Sequence, residues 1–359
     1  NVAKCYRCGS VLEPILSKQW FLKMDELAKK AIKAVKFGKI KFHPKRWEKI
    51  YFDWLENVKD WCISRQIWWG HQIPVEGSTD VLDTWFSSAL WPFAALGWPQ
   101  GKVKSQKSKV KSDLEEFYPT QVLSTDRGII NLWVTRMIFS GLEFMGKVPF
   151  SDVIIHATIL TKEGQRMSKS KGTGIDPLDL IEKYGADATR FGLIWQAMGG
   201  QDIHWSEEHV IAGKKFANKI WNASRFVLMQ ISNLSAKGGS ASGGKSQISN
   251  LPKAKTTDDK KILAALGKIK KEVSKLIDRY EFGPALHILY EFFWHEFCDV
   301  YLEKSKAQVA DTKFKRSTQD ILLYVLIGSL KFLHPFMPFV TEAIYHELTG
   351  RKSVMIEKS

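Results

Sequence analysis

The sequence predicts an α/β domain followed by an all-α helical bundle. Up to about residue 205, short apolar runs typical of strands alternate with helical patterns, as in residues 118–125, 126–137 and 153–160. From residue 207 onward the apolar residues follow a helical spacing throughout. A change of this kind along a chain indicates two architectures placed one after the other.

The composition is that of a globular protein with a basic surface. Hydrophobic residues make up 44% of the 359 residues and charged residues 25%, and this length allows two or three domains. No apolar run reaches the ~18 residues of a membrane span, so we expect no membrane partner. The four cysteines form no disulfide framework, which favours a reducing, cytoplasmic location. The net charge of +15 favours a polyanionic partner such as a nucleic acid, with simple solubility as the alternative.

Residues 1–60 open with two cysteines and continue into a helix. Cys5 and Cys8 have the spacing of half a tetrahedral zinc site. No second Cys/His pair lies near them in the sequence, and two ordinary thiols are the alternative interpretation. Residues 25–35 carry apolar residues on one face and lysines on the other, which predicts an amphipathic helix. Since the chain opens at Asn1 inside a segment with the pattern of folded structure, we expect it to be a piece of a longer protein or a sequence missing its start.

The most informative stretch is residues 164–172, a basic segment bracketed by glycines. It combines an arginine, two lysines and two serines, and it follows the strand pattern of residues 153–160. Asp176 and Pro177 then indicate the start of a helix. Backbone N–H groups near a helix start, together with cationic side chains, bind anions, and a polyphosphate suits such a loop. A solvated turn is the alternative, because short motifs often match by chance.

This segment and several other stretches resemble one family. Residues 166–170, Arg-Met-Ser-Lys-Ser, resemble the KMSKS motif of class I aminoacyl-tRNA synthetases, and residues 172–177 and 184–191 resemble its continuation in the valyl, isoleucyl and leucyl subgroup. Residues 54–74 and 80–93 resemble the valyl-tRNA synthetases in particular, through Trp-Trp-Gly-His and Asp-Thr-Trp-Phe-Ser-Ser. The isoleucyl enzymes have a single tryptophan at the first of these places.

The resemblance implies a Rossmann-like, nucleotide-binding half-domain of the class I synthetase type and then an all-α anticodon-binding helical bundle. It divides the chain into four segments. These are a re-entry segment from the editing insertion (1–60), the second half of the catalytic domain (61–165), the KMSKS loop with a connecting stem-contact segment (166–205), and the bundle (206–359) with a flexible insertion (235–258). The HIGH motif of the class does not occur in the sequence. We therefore expect the C-terminal part of an enzyme whose N-terminal half, with HIGH motif and editing domain, is missing.

The activity implied is that of a valine–tRNA ligase. Such an enzyme activates valine to valyl-adenylate with ATP, Mg²⁺ bridging the phosphates, and transfers it to tRNA(Val). By the resemblance, Lys169 is the catalytic cation, and ATP is contacted by His156, Arg166, Met167, Ser168, Lys169 and Ser170. For His156, an ordinary core histidine is the alternative. A non-catalytic tRNA-binding module and an isoleucyl-type synthetase remain open as other functions, and we expect this chain alone to be an incomplete enzyme.

The valine pocket implied by the resemblance is formed by Trp69, Ile129 and Trp133. Ile129 and Trp133 are four residues apart, which places them on one face of a helix predicted over residues 126–137. A shallow apolar cavity suits a small branched side chain, although Trp69 as an ordinary core residue is the alternative. Asp126 is a candidate adenylate contact from a shifted position, because the family has Thr-Gly-x-Asp where this chain has Thr-Asp-Arg-Gly.

The resemblance also bears on metal binding. The family usually carries a cysteine-rich metal-binding insertion before the stretch at residues 80–93. Here residues 75–79 take its place and contain no cysteine. We therefore predict no metal site, and Cys5 with Cys8 is left as an incomplete zinc half-site.

Overall fold

The computed structural model describes residues 2–5, 8–13, 15–99, 111–167, 172–232, 251–350 and 353–356. The chain forms two compact units, residues 1–156 and 157–359. The finer division into four segments stays a prediction, as does the flexible insertion, most of which lies outside the described residues. Within the described ranges, no helix combines the length and hydropathy that crossing a bilayer demands.

The first unit is built around a three-stranded parallel sheet. Its elements are β1 (Phe21–Leu22), α1 (Asp25–Lys36), β2 (Lys41–His43), α2 (Glu48–Glu56), β3 (Trp61–Cys62), β4 (Ser64–Arg65), β5 (Val81–Leu82), α3 (Thr84–Ala89), α4 (Trp91–Ala94), α5 (Asp113–Phe117), β6 (Thr120–Asp126), α6 (Thr135–Phe144) and β7 (Phe150–His156). The strand order is β2–β7–β6, and both pairings are parallel. Parallel neighbours need crossover connections, and α2 and α6 occur within those connections.

The core of the first unit confirms the predicted α/β architecture. Val153 and Ile155 of the central strand β7 are buried in one apolar cluster with residues of α1, α2 and α6. The amphipathic helix predicted over residues 25–35 is confirmed as α1, which buries Ala31 and Val35 on one face. Val153 and Ile155 are two residues apart and lie on one face of the strand, so this face of the parallel sheet packs against the helices.

The helix predicted over residues 126–137 is corrected in its first part. Asp126 is the last residue of β6, and the chain then forms a 3₁₀ turn over Arg127–Ile129 and a π-helical turn over Ile130–Val134 before α6 begins. The buried Thr135 hydroxyl donates a hydrogen bond to the carbonyl oxygen of Ile130 at 3.0 Å. A widened turn of this kind is not predicted by apolar spacing, which assumes one helical period throughout.

The second unit is mainly helical. Its elements are β8 (Ile159–Leu160), α7 (Pro177–Tyr184), α8 (Ala186–Gln196), β9 (Ile203–His204), α9 (Glu208–Ser232), α10 (Thr257–Asp278), α11 (Phe282–Glu291), a π-helical stretch (Phe292–Leu302), α12 (Glu303–Ala310), α13 (Thr312–Leu333) and α14 (Pro338–Thr349). Residues 153–160 therefore do not form one strand. The first strand ends at His156, and β8 pairs in parallel with β9.

A large apolar cluster holds the helical bundle together. Phe216, Leu286, Phe293 and Leu326, from α9, α11, the π-helical stretch and α13, are all buried in it. The last two helices are separated by a short break, since α13 ends at Leu333 and α14 begins with a proline at residue 338. The predicted helical bundle is thus present, with α13 central to it.

Helix α8 is joined to the α13–α14 junction by hydrogen bonds. The Asp187 carboxylate accepts hydrogen bonds from the backbone N–H groups of Phe339 and Val340, at 3.1 and 2.7 Å. The Arg190 guanidinium donates to the carbonyl oxygens of Pro335 and Phe336, at 2.7 and 3.2 Å. One acidic and one basic side chain therefore satisfy backbone groups that helix ends leave without partners.

Candidate functional site

The carboxyl ends of β6 and β7 bring two predicted site residues side by side. Asp126 and His156 are the last residues of the two strands and are partners in the parallel register. Open parallel sheets bind their ligands at this edge. The His156 side chain is exposed and that of Asp126 is half-buried. His156 is thus not buried in the core of this unit, and its contact with a nucleotide stays a prediction.

The Asp126 carboxylate caps the turn that follows β6. It accepts a hydrogen bond from the backbone N–H of Gly128 at 2.6 Å. The departure from Thr-Gly-x-Asp thus places the carboxyl group at the sheet edge, two residues before the glycine. A carboxylate oriented by a backbone N–H can still accept further hydrogen bonds, because each of its oxygens has two lone pairs.

Ile129 and Trp133 are both half-buried, but in different kinds of turn. Ile129 ends the 3₁₀ turn and Trp133 lies in the π-helical turn. The Trp133 indole N–H donates to the carbonyl oxygen of Ser88 at 3.1 Å. Because a π-helical turn takes more residues than an α-helical one, a spacing of four does not place the two side chains directly above one another.

Trp69 lies in an exposed bend after β4. Its side chain is 73% exposed, and its ring lies 6.3 Å from that of Trp68 in an edge-on arrangement. Gly70 has a φ of +135°, and a Cβ there would lie 3.0 Å from Val81 Cγ2, so the bend requires glycine. Trp69 lies beside Trp68, whereas Trp133 is hydrogen-bonded to Ser88. A valine pocket shared by the two indoles therefore stays a prediction.

The KMSKS segment begins on a tight hairpin in the second unit. Thr161 N–H donates to the Gln165 carbonyl at 2.8 Å, and Gly164 N–H donates to the Thr161 carbonyl at 3.0 Å. An antiparallel bridge between Leu160 and Arg166 closes the hairpin. The basic segment therefore leaves β8 from a fixed backbone, with Gly164 at φ +80° in the turn.

Apolar packing fixes the segment where it leaves the hairpin. Met167 is half-buried and packs against a cluster that contains Leu180 and Trp205. On the far side, the Asp176 carboxylate accepts from Leu178 N–H at 2.9 Å and caps α7. Ser168, Lys169 and Ser170 lie outside the described residues, so the predicted catalytic lysine is not placed by the structure.

Sequence reasoning missed a buried charged cluster in the first unit. Asp83, which is 4% exposed, accepts hydrogen bonds at Oδ2 from Trp61 Nε1 at 2.9 Å and from Arg65 Nη2 at 2.7 Å. Its Oδ1 accepts from Trp85 N–H at 3.2 Å and caps α3. The Arg136 guanidinium stacks on the Trp61 ring, with 3.8 Å between its central carbon and the ring centroid.

One feature of the sequence could have indicated this cluster. Arg136 stands in a run of residues that are otherwise apolar or small, and its side chain is 9% exposed in the structure. Burial lowers the pKa of Arg136 to about 10, while nearby Asp83 raises it and Arg65 lowers it. The guanidinium remains a cation at neutral pH. A buried cation is costly unless an acceptor is close to it, so its surroundings matter.

The two N-terminal cysteines have different surroundings. Cys5 is half-buried and Cys8 is exposed, and the Cys8 thiol lies 3.3 Å from the Ser10 hydroxyl oxygen. Hydrogen bonds from the Ser10 side chain, the Ser10 backbone and Cys5 lower the pKa of Cys8 to about 7. Among the described residues, no group of three His, Cys, Asp or Glu side chains is arranged to hold a metal ion.

We predict that Cys8 is alkylated faster at neutral pH than an ordinary thiol. The thiolate is the reactive form, and a pKa of about 7 makes about half of it available at pH 7. The rate of iodoacetamide labelling, followed by peptide mass spectrometry, should be half-maximal near pH 7. In Ser10→Ala the midpoint should rise towards the ordinary ~8.5. An unchanged midpoint in this variant would contradict the assigned cause.

Two family models match the chain. The model described as tRNA synthetases class I (I, L, M and V) matches residues 9–78 and 75–206. The model described as the anticodon-binding domain of tRNA ligase matches residues 259–359. The two matches together follow the order of the α/β unit and the helical bundle.

Similar proteins agree with these matches. The chain is 46% identical over 374 residues to a valine–tRNA ligase of Pseudothermotoga lettingae, covering 97% of this chain and 41% of the relative. It is 48% identical over 375 residues to a valine–tRNA ligase of Clostridium tetani, covering 96% of this chain and 40% of the relative. The chain thus spans about two fifths of the length of these relatives.

A solved structure shows the same fold at low sequence identity. Mycobacterium tuberculosis methionyl-tRNA synthetase in complex with methionyl-adenylate superposes with a TM-score of 0.74 and 19% identity, covering 96% of this chain and 65% of that one. The class I synthetase model matches residues that make up more than half of the 359-residue chain. The chain therefore belongs to the class I tRNA synthetases of the I, L, M and V group.

Proposed function

We propose that this chain supplies the KMSKS half of the adenylation site of a valine–tRNA ligase and the bundle that binds tRNA(Val). The names and the 46–48% identity of the relatives support valine as the amino acid. Because the chain spans about two fifths of those relatives, the proposed activity is that of a longer polypeptide. This chain would contribute part of its active site.

The observation that carries this proposal is the anchoring of the KMSKS segment on both sides. Arg166 and Met167 are fixed by the hairpin and by apolar packing, and Asp176 caps the helix that follows. Lys169 lies between these two fixed positions in the sequence, and we propose that it contacts the phosphates of ATP. When the valine carboxylate attacks the α-phosphate, a P–O bond forms to the amino acid and pyrophosphate leaves. Cations near the phosphates stabilise the charge that develops there.

The first unit would contribute contacts to the nucleotide and to valine. His156 and Asp126 at the sheet edge offer an imidazole and a carboxylate, which can bond to a base or to ribose hydroxyls. Trp69, Ile129 and Trp133 would surround the valine side chain. The exposure of Trp69 supports this, since an exposed indole has surface available for a ligand.

The outer face of α10 supports tRNA binding by the second unit. Its exposed lysines are Lys260, Lys261, Lys268, Lys271 and Lys275. Such a row can contact successive phosphates, and the binding should weaken steeply with salt. For Mg²⁺, the described residues offer no set of three ligating side chains. Mg²⁺ would then be bound mainly through the phosphates of ATP.

The test is amino-acid-dependent ATP–pyrophosphate exchange by the complete polypeptide that contains this chain. We expect exchange with valine to exceed exchange with isoleucine by at least about tenfold, since one extra methylene is worth ~1–3 kcal/mol in a closed pocket. Equal or greater exchange with isoleucine would favour the isoleucyl-type alternative. Salt-sensitive tRNA binding without any exchange would favour the non-catalytic module.

A further inference from the structure

A cavity of about 460 Å³ opens beside the buried charged cluster of the first unit. Met24, Trp61 and Arg136 are its buried lining residues, while Lys59 is exposed. Met24 and Trp54 contribute apolar surface. The volume lies within the range of pockets that bind small organic molecules. None of the lining residues is among the valine or ATP contacts proposed above.

Arg136 has hydrogen-bonding capacity that the protein leaves unused. Its Nε and Nη1 are buried and have no hydrogen-bond partner among the described residues. Asp83 does not fill this role, because 3.8 Å separates Nη1 from Asp83 Oδ2, and that oxygen already accepts from Trp61 and Arg65. Buried donors without acceptors cost free energy, so an acceptor in the cavity would stabilise the folded protein.

The charges around the cavity indicate what kind of acceptor fits. Lys59, Arg65 and Arg136 line it, against a single lining carboxylate, Asp60. Asp60 is itself engaged, because its Oδ1 accepts from the Met24 backbone N–H at 3.1 Å. If Asp83 is counted with Asp60, the cavity region contains three cationic side chains and two carboxylates. Guanidinium groups bind carboxylates and phosphates through charge-assisted N–H···O bonds.

We propose that this cavity binds a small organic oxyanion. Its carboxylate or phosphate accepts a hydrogen bond from Nε or Nη1 of Arg136 once the buried guanidinium turns towards the cavity, and its apolar part lies against Met24 and Trp54. Arg65 and Lys59 add positive charge at the wall and the rim. A bare inorganic ion would satisfy Arg136 and leave most of the 460 Å³ to water, so an apolar portion should add affinity.

The test follows the Arg136 Nε–H signal by ¹⁵N–¹H NMR in the full 359-residue chain. Inorganic phosphate, acetate and phenylacetate are titrated at an ionic strength held constant with chloride. We expect saturable shifts, with phenylacetate binding about tenfold more tightly than acetate because its ring leaves water. The phosphate titration shows whether the site prefers a phosphate to a carboxylate. No saturable shift with any of the three would overturn the proposal.

Three variants sharpen the test. Arg136→Lys identifies the signal and should weaken phenylacetate binding at least tenfold, because it keeps the charge but loses the Nε and Nη1 donors. Lys59→Glu, at the exposed rim, should weaken binding about threefold without touching the buried cluster, and it serves if Arg136→Lys fails to fold. Arg46→Lys is the matched control, since Arg46 also lies over an indole, that of Trp47, at 5.2 Å. Equal weakening in Arg46→Lys and in the cavity variants would overturn the proposal.

Discussion

Replacing Lys169 by alanine is expected to lower the rate of valyl-adenylate formation about 100- to 1000-fold. The attack of valine on ATP shifts negative charge onto the phosphates, and one preorganised contact to such charge is worth about 3–4 kcal/mol. In the sequence, Lys169 lies between Met167, which packs against an apolar cluster, and Asp176, which caps α7. The loss should fall mainly on the maximal rate, because the contact strengthens in the transition state. The measurement is ATP–pyrophosphate exchange at saturating valine and ATP, in the complete polypeptide.

The control for this prediction lies on the hairpin that precedes the motif. Lys162 is an exposed lysine outside the motif, and Lys162→Ala should change the exchange rate less than about threefold if position rather than net charge matters. Lys169→Arg keeps the charge with a planar group and should recover part of the rate. If Lys169→Ala exchanged as fast as the unaltered protein, the proposed role of the segment would be wrong.

Local signals in the sequence predicted much of the fold. Asp176 followed by proline predicts a capped helix start, and the structure confirms it at α7. The proline at residue 338 likewise starts α14 where the apolar pattern breaks. Caps and prolines act on the backbone within a few residues, so a single sequence contains nearly all the information about them.

Pairings between distant segments were not predicted. Ile159 continues the apolar alternation of β7, yet it pairs with Ile203, far along the chain. The alternation is the same for one long strand and for two strands in different sheets, and so it does not separate them. The register that places Asp126 beside His156 depends on the same long-range information. The sequence alone identifies Asp126 and His156 as candidate site residues, but it does not show that they are neighbours in the sheet.

The second prediction with a large expected effect concerns the buried cluster around Asp83, which was not predicted from the sequence. Replacing Asp83 by alanine is expected to destabilise the first unit by about 3–5 kcal/mol, because removing one partner of a buried ion pair leaves the other charge uncompensated. Trp61 Nε1 and Trp85 N–H lose their acceptor, and Arg136 loses its nearest anion. The Arg65 side chain is 41% exposed and can turn to water, so its share of the loss is the smallest. Hydrogen exchange of the β4, β5 and α6 amides, read by mass spectrometry, measures the change within this unit.

Two further variants separate charge from capping in this cluster. Asp83→Asn keeps an acceptor for either Trp85 N–H or Trp61 Nε1, but not for both, and it removes the negative charge, so we expect a loss between that of alanine and none. Asp176→Ala removes a comparable helix cap in the second unit and should cost about 1 kcal/mol, with no change in exchange of the first unit. If Asp83→Ala cost no more than this cap, Asp83 would not be the anion that stabilises Arg136. The counter-charge of the buried Arg136 guanidinium would then be an anion bound in the adjoining cavity. The stability of Asp83→Ala and the anion titration of the cavity together show which of the two supplies this negative charge.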